Sequence, residues 1–120
     1  MFELKVKDHI ASAHQLRGYD GPCAHLHGHT WKVEVILRGD QLNNIGLLLD
    51  FKTMKKTLKD VLTPLDHVNL NDHPAFAVVN PSTENLAKYI YGQLRPLVSP
   101  LTLKSVEVFE SDTASIVYYE

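Results

Sequence analysis

The chain has 120 residues, 44% of them hydrophobic and 22% charged, with a formal net charge of −2 at pH 7. That length predicts a single domain over residues 1–120 with a modest core, and the hydrophobic share is too high for a disordered chain. The slightly acidic balance gives no basic face to recommend nucleic acid or an anionic membrane as partner, and no apolar run approaches the roughly 20 residues of a membrane span. The first residues, MFELKVKDH, are charged and alternating, unlike a secretory signal. One cysteine cannot close an intramolecular disulfide, so a cytoplasmic protein is expected.

Taken in chain order, FELKVKDHIASA (2–13) alternates apolar and polar residues at Phe2, Leu4 and Val6 and reads as a half-buried strand. Gly18, Asp20, Gly21 and Pro22 then mark a loop. TWKVEVILR (30–38) alternates again, with Trp31, Val33, Val35 and Leu37 on one face, and Gly39-Asp40 ends it. In DFKTMKKTLKDVL the period changes. Phe51, Met54, Leu58 and Val61 recur every three or four residues behind Asp50, which predicts an N-capped amphipathic helix ended by Pro64. Ser82 caps a second predicted helix with Leu86, Ala87, Ile90 and Leu94 inside, stopped by Pro96 and Pro100. LKSVEVFE (103–110) and ASIVYY (114–119) close the chain as two strands.

The order strand, strand, helix, helix, strand, strand points to an α+β layer with an antiparallel sheet. Four strands under two helices leave edges that a small domain must blunt or pair with another subunit, so assembly is expected.

The compositional oddity is histidine. There are seven, five of them before residue 30. Residues two apart on an extended chain point the same way, so His27 and His29 share the parity of Trp31, Val33 and Val35. His14 ends the first strand on the parity of Leu4, Val6 and Ile10, unless a bulge in DHIASAH changes the count. A hairpin would bring the three imidazoles together, leaving a fourth coordination place open, the pattern of a catalytic rather than a structural Zn²⁺. Cys23 and His25 share the same parity, so spacing excludes neither as a ligand.

Other polar residues carry weaker signals. Adjacent Asp66 and His67 form a carboxylate–imidazole pair suited to proton transfer, or merely a helix-ending turn. His73, in NDHP, reads as a turn residue. Glu110 ends an apolar-faced strand, where its carboxylate is either an edge charge or a grip for a planar ring with adjacent N–H donors. Ser82 and Thr83 offer hydroxyls and helix N-terminal amides, for capping or for a ligand. Cys23 alone is a small hydrophobe, or beside a metal a base or nucleophile.

Six segments in this order, ASAH (11–14), CAHLHGH (23–29), LLLDF (47–51), LDHVNLND (65–72), NPSTENLA (80–87) and VFES (108–111), resemble the 6-pyruvoyltetrahydropterin synthase family over essentially the whole chain. Within it they are most similar to the bacterial 6-carboxytetrahydropterin synthases of queuosine biosynthesis. The resemblance implies zinc on His14, His27 and His29, a catalytic Cys23 assisted by Asp66 and His67, a pterin anchored by Glu110, and substrate-side hydroxyls on Ser82 and Thr83. It implies a tunnelling fold, in which two-layer ββααββ units join their sheets into a barrel, commonly as a homohexamer of two trimers with active sites between subunits. It also implies a lyase that turns 7,8-dihydroneopterin triphosphate into 6-carboxytetrahydropterin, releasing triphosphate and acetaldehyde. The alternatives are the pyruvoyl-forming synthase, a dihydroneopterin aldolase-type enzyme and a non-catalytic zinc- or pterin-binding module. Pro22 and His25 stand where relatives often carry lysine and arginine, and Ser82 and Ser111 where they carry threonine. Cys23 itself argues against a branch that replaces the cysteine with a glutamate.

Overall fold

A computed structural model describes residues 1–120. Strands β1 (Phe2–His14), β2 (His27–Gly39), β3 (Thr102–Ser111) and β4 (Ala114–Tyr118) form one antiparallel sheet in the order β1-β2-β3-β4. Helices α1 (Phe51–Leu62) and α2 (Thr83–Leu94) cover one face of it.

The alternation seen in sequence is what buries that face. Leu4, Val6 and Ile10 of β1 and Trp31, Val33, Val35 and Leu37 of β2 lie in a core of 22 apolar residues. The pairing of β1 with β2 runs without a slip from Phe2↔Gly39 to His14↔His27. No bulge interrupts DHIASAH, so His14 keeps the inward parity of Ile10. A register shift between Ile36 and Leu37 lets β3 bury Leu103 and Ser105 on one parity and Val106 and Val108 on the other. A second shift lies between Phe109 and Ser111, so Glu110 is the extra residue of a bulge.

Both helices start where their caps dictate. Asp50 accepts from the Lys52 amide at 2.8 Å and Ser82 from the Asn85 amide at 3.1 Å. Met54, Leu58 and Leu62 of α1 are buried, as are Leu86, Ala87, Ile90 and Leu94 of α2. Phe51 departs from the expected inner face. It is 60% exposed, at a surface pocket it lines with Phe2 and Leu47.

Most strand limits shift by one residue from the sequence reading, and one shifts by three. β1 reaches His14, and β2 begins at His27 rather than Thr30, because His14 and His27 are register partners and draw HGH into the sheet. The edge formed by β1 is covered near its C-terminal end. His67 N–H donates to the Ala11 carbonyl at 2.7 Å and Ala13 N–H to that of Val68 at 3.0 Å, so residues 67–69 run alongside the strand and blunt that stretch. His73 is the expected turn residue, its Nδ1 accepting from the Ala75 amide at 3.1 Å. No helix is long and apolar enough to cross a membrane.

Candidate metal centre and substrate site

The hairpin delivers three imidazoles to one end of the sheet. One ring nitrogen from each of His14, His27 and His29 can be chosen so that all lie within 4.8 Å of one another. His14 is 1% exposed. Trp31 packs edge-on against both His14 and His29, with centroids 4.8 and 5.0 Å away, and so forms the apolar floor of the cluster.

Hydrogen bonds fix which nitrogens face inward. His14 Nδ1 lies 2.7 Å from the Pro81 carbonyl and His27 Nδ1 lies 2.6 Å from the His25 carbonyl. A carbonyl only accepts, so each Nδ1 carries its hydrogen and each neutral ring presents an Nε2 lone pair. These two Nε2 atoms stand 3.0 Å apart. Two acceptors at that separation repel unless a cation lies between or beside them. His29 Nε2 is a third inward nitrogen, buried with no hydrogen-bond partner. Burial, followed by the neighbouring imidazoles, opposes protonation. His14 is held below the ordinary imidazole range by desolvation first, against the Pro81 hydrogen bond, and His29 by desolvation against the pull of Glu110. Three converging imidazole nitrogens, one of them unpartnered, with two of the rings anchored by Nδ1–H to carbonyls, are a donor set suited to a divalent metal. The three residues fit a metal ion.

Glu110 is turned toward this centre by its bulge. One oxygen accepts the Thr83 hydroxyl at 3.0 Å and the other lies 3.8 Å from His29 Nε2. A carboxylate thus stands beside the metal position with its orientation fixed from α2. The Ser82 hydroxyl is engaged in its helix cap.

The remaining predicted residues lie apart from the trio. Cys23 sits in a one-turn 3₁₀ segment, Pro22–Ala24, partly buried, and its Sγ makes no hydrogen bond. Neither it nor His25 joins the ligand cluster, so geometry separates residues that parity leaves equivalent. His25 contributes its carbonyl instead. Asp66 and His67 do pair, Oδ1 to Nδ1 at 2.9 Å, at the edge of β1. His67 has φ of 56°, a left-handed conformation uncommon for histidine, and its side chain is 81% exposed. Asp66 also accepts the Ala11 amide at 2.8 Å, and that bond, with His67 adding to it, keeps its carboxyl below the usual range.

Sequence reasoning misses the two carbonyls, of His25 and Pro81, that set the ligand tautomers. Every residue has a carbonyl, so no residue type signals the role. Alternation assigns Trp31 to the core alone, and its position two residues after His29 is the signal that it also lines the centre.

Comparison with known proteins agrees with this geometry. The chain is 36% identical over 126 aligned residues to the 6-carboxy-5,6,7,8-tetrahydropterin synthase of Bacillus subtilis, covering 98% of this chain and 84% of that protein. It is 37% identical over 94 residues to human 6-pyruvoyl tetrahydrobiopterin synthase, covering 77% of this chain and 65% of that protein. The solved structure of Caenorhabditis elegans 6-pyruvoyl tetrahydropterin synthase superposes with a TM-score of 0.88 at 25% identity, covering 99% of this chain and 95% of that one. The family model described as 6-pyruvoyl tetrahydropterin synthase matches residues 3–120, and the chain belongs to that family.

Proposed function

We propose that the chain is a zinc-dependent lyase, a 6-carboxy-5,6,7,8-tetrahydropterin synthase acting on 7,8-dihydroneopterin triphosphate in queuosine biosynthesis. The observation that carries the reading is the convergence of three imidazoles, with His29 Nε2 buried and unpartnered among them and Glu110 oriented beside them. The Bacillus relative's name favours the carboxy product over the pyruvoyl one.

His14, His27 and His29 would hold Zn²⁺, which when bound would supply Lewis-acid polarisation of the substrate's side-chain hydroxyls. Glu110 accepts the adjacent N–H groups of the pterin's amino-pyrimidinone edge and fixes the ring. Thr83 holds that carboxylate in place. Cys23 removes the proton from the side-chain carbon attached to the ring, and the Asp66–His67 pair moves protons to and from the departing fragments. Triphosphate leaves, and one water adds to the carbonyl formed on the ring-attached carbon, so that cleavage of the next C–C bond leaves the ring carboxylate and releases the terminal two carbons as acetaldehyde.

The exposed His67 lines a shallow pocket with His29 at the β1 edge, and Cys23 lies outside the histidine cluster. Both fit an active site completed between subunits of a homo-oligomer, a hexamer of two trimers in which the open sheet closes into a barrel. Each 1–120 chain then acts as one domain in the cytoplasm.

The test is to incubate zinc-loaded protein with 7,8-dihydroneopterin triphosphate and identify the products. Triphosphate plus acetaldehyde is expected. Triphosphate alone would make it the pyruvoyl-forming synthase. Glycolaldehyde from dihydroneopterin would mark an aldolase, and binding without turnover a non-catalytic module.

A further inference from the structure

Beyond β1 the chain has no strand partner, yet its backbone stays paired through two asparagine side chains. Gln15 N–H donates to Asn71 Oδ1 at 2.8 Å while Asn71 Nδ2 donates back to the Gln15 carbonyl at 3.0 Å. Two residues on, Arg17 N–H donates to Asn80 Oδ1 at 2.9 Å and Asn80 Nδ2 donates to the Arg17 carbonyl at 2.9 Å. A primary amide offers one acceptor and two donors on one plane, so each asparagine reproduces the exchange that a strand residue would make. The Arg17 guanidinium adds contacts to the Phe76 and Val79 carbonyls at 2.6 and 2.8 Å and to Asn80 Oδ1 at 3.2 Å.

The clamp matters because Asn80 lies directly before the residues that orient the centre. Its neighbour Pro81 supplies the carbonyl bound to His14 Nδ1, and Thr83 holds Glu110. Asn85 Nδ2 grips the Asn80 carbonyl at 2.9 Å from the helix side. Asn80 is therefore fixed to the chain just after His14 on one side and to α2 on the other.

We infer that Asn80 is a positioning residue for the metal centre: by bridging Arg17 to the start of α2 it holds the Pro81 carbonyl against His14 and so sets the direction of the His14 lone pair. Partners that orient a ligating histidine through its other nitrogen typically change metal affinity 10–100-fold when lost. The inference rests on the trio being the metal site, which the His27→Ala variant tests separately through metal content.

The experiment measures zinc affinity of the full-length apo-protein by chelator competition, with Trp31 emission as a second readout, since the only tryptophan packs against both His14 and His29. Asn80→Ala is expected to weaken zinc by about tenfold or more. Asn80→Asp keeps the acceptor for the Arg17 amide but sets a carboxylate oxygen against the Arg17 carbonyl in place of the donor, so a loss of about three- to tenfold is expected. Tyr91→Phe removes a buried hydrogen bond from α2 to the Leu103 carbonyl, away from the histidines. It is expected to lower Tm without moving zinc affinity, which separates positioning from general loosening. Wild-type zinc affinity in Asn80→Ala would overturn the inference. So would a zinc loss in Tyr91→Phe that tracks its Tm as the asparagine variants track theirs. If Asn80→Ala does not fold, Asn80→Asp decides alone, and wild-type affinity there is the overturning result.

Discussion

Two histidine-bearing regions flank the end of β1, and they are built on opposite physical terms. The trio of His14, His27 and His29 projects from paired strands onto Trp31, with two rings tied to carbonyls and one nitrogen left buried and unpartnered. The Asp66–His67 pair stands on a left-handed turn in solvent, its carboxylate anchored to the Ala11 amide. The trio is held in place by strand pairing and carbonyl hydrogen bonds, with His14 fully buried, which suits a metal centre. The pair is hydrogen-bonded and reaches solvent, which suits proton movement once another surface covers it. The chain thus separates holding an ion from handling protons, although both regions hang on the same strand.

The largest effect should come from breaking the trio. His27→Ala removes one of three ligands, and metal analysis of purified protein is expected to find zinc lost while the chain stays folded. Unchanged zinc content would refute the ligand assignment. His67→Gln should retain full zinc content, because nothing in the pair touches the trio's inward nitrogens.

Cys23→Ala comes next. It should reduce turnover by about 10²- to 10⁴-fold, the range of a lost general base, with zinc content unaltered. His67→Gln should fall short of that loss. A Cys23→Ala enzyme with wild-type kcat would remove Cys23 from the proton-handling side of the comparison.

The two regions should also respond differently to acid. His14 and His29 resist protonation in the folded metal-free chain, mainly through burial. Below the ordinary imidazole value of about 6.5 the unfolded chain takes up protons that the folded chain refuses. Metal-free stability therefore falls as pH drops through 6.5 and continues falling toward the lowered folded values. Tm should be lower at pH 5.5 than at pH 7.5, and His29→Gln should flatten the dependence. Asp66 has its carboxyl lowered, first by the Ala11 amide. Its contribution is present above the ordinary carboxylate value of about 3.9 and is lost only as pH falls through the lowered one. Asp66→Asn should leave the slope between pH 5.5 and 7.5 unchanged.

How far the sequence reaches is clearest at His14. Alternation places it on the inward face, because a side chain's direction on a strand is set by parity alone. The strict register from Phe2↔Gly39 to His14↔His27 is a tertiary fact, fixed by burial of both strands on one core. Parity cannot separate Cys23 from His27, since the segment before His27 is a 3₁₀ turn in which parity has no meaning. The bulge that frees Glu110 depends on pairing with β4 and leaves no mark in VFES. Phe51 fits the helical period and still faces solvent, because the period gives its angle about the helix and not what packs against it.

The smallest expected effect decides what Ser82 does. Its hydroxyl accepts the Asn85 amide, the geometry of a helix N-cap, while Thr83 alone reaches Glu110. Ser82→Ala should cost about 1 kcal/mol of stability, seen in denaturant or thermal unfolding, and leave KM unchanged. Thr83→Val keeps the shape but releases one oxygen of Glu110, so it should raise KM several-fold, consistent with about 1 kcal/mol for one hydrogen bond. If Ser82→Ala raised KM at undiminished stability, the cap would be a resting position of a hydroxyl that turns to substrate, and the two neighbours would share one role.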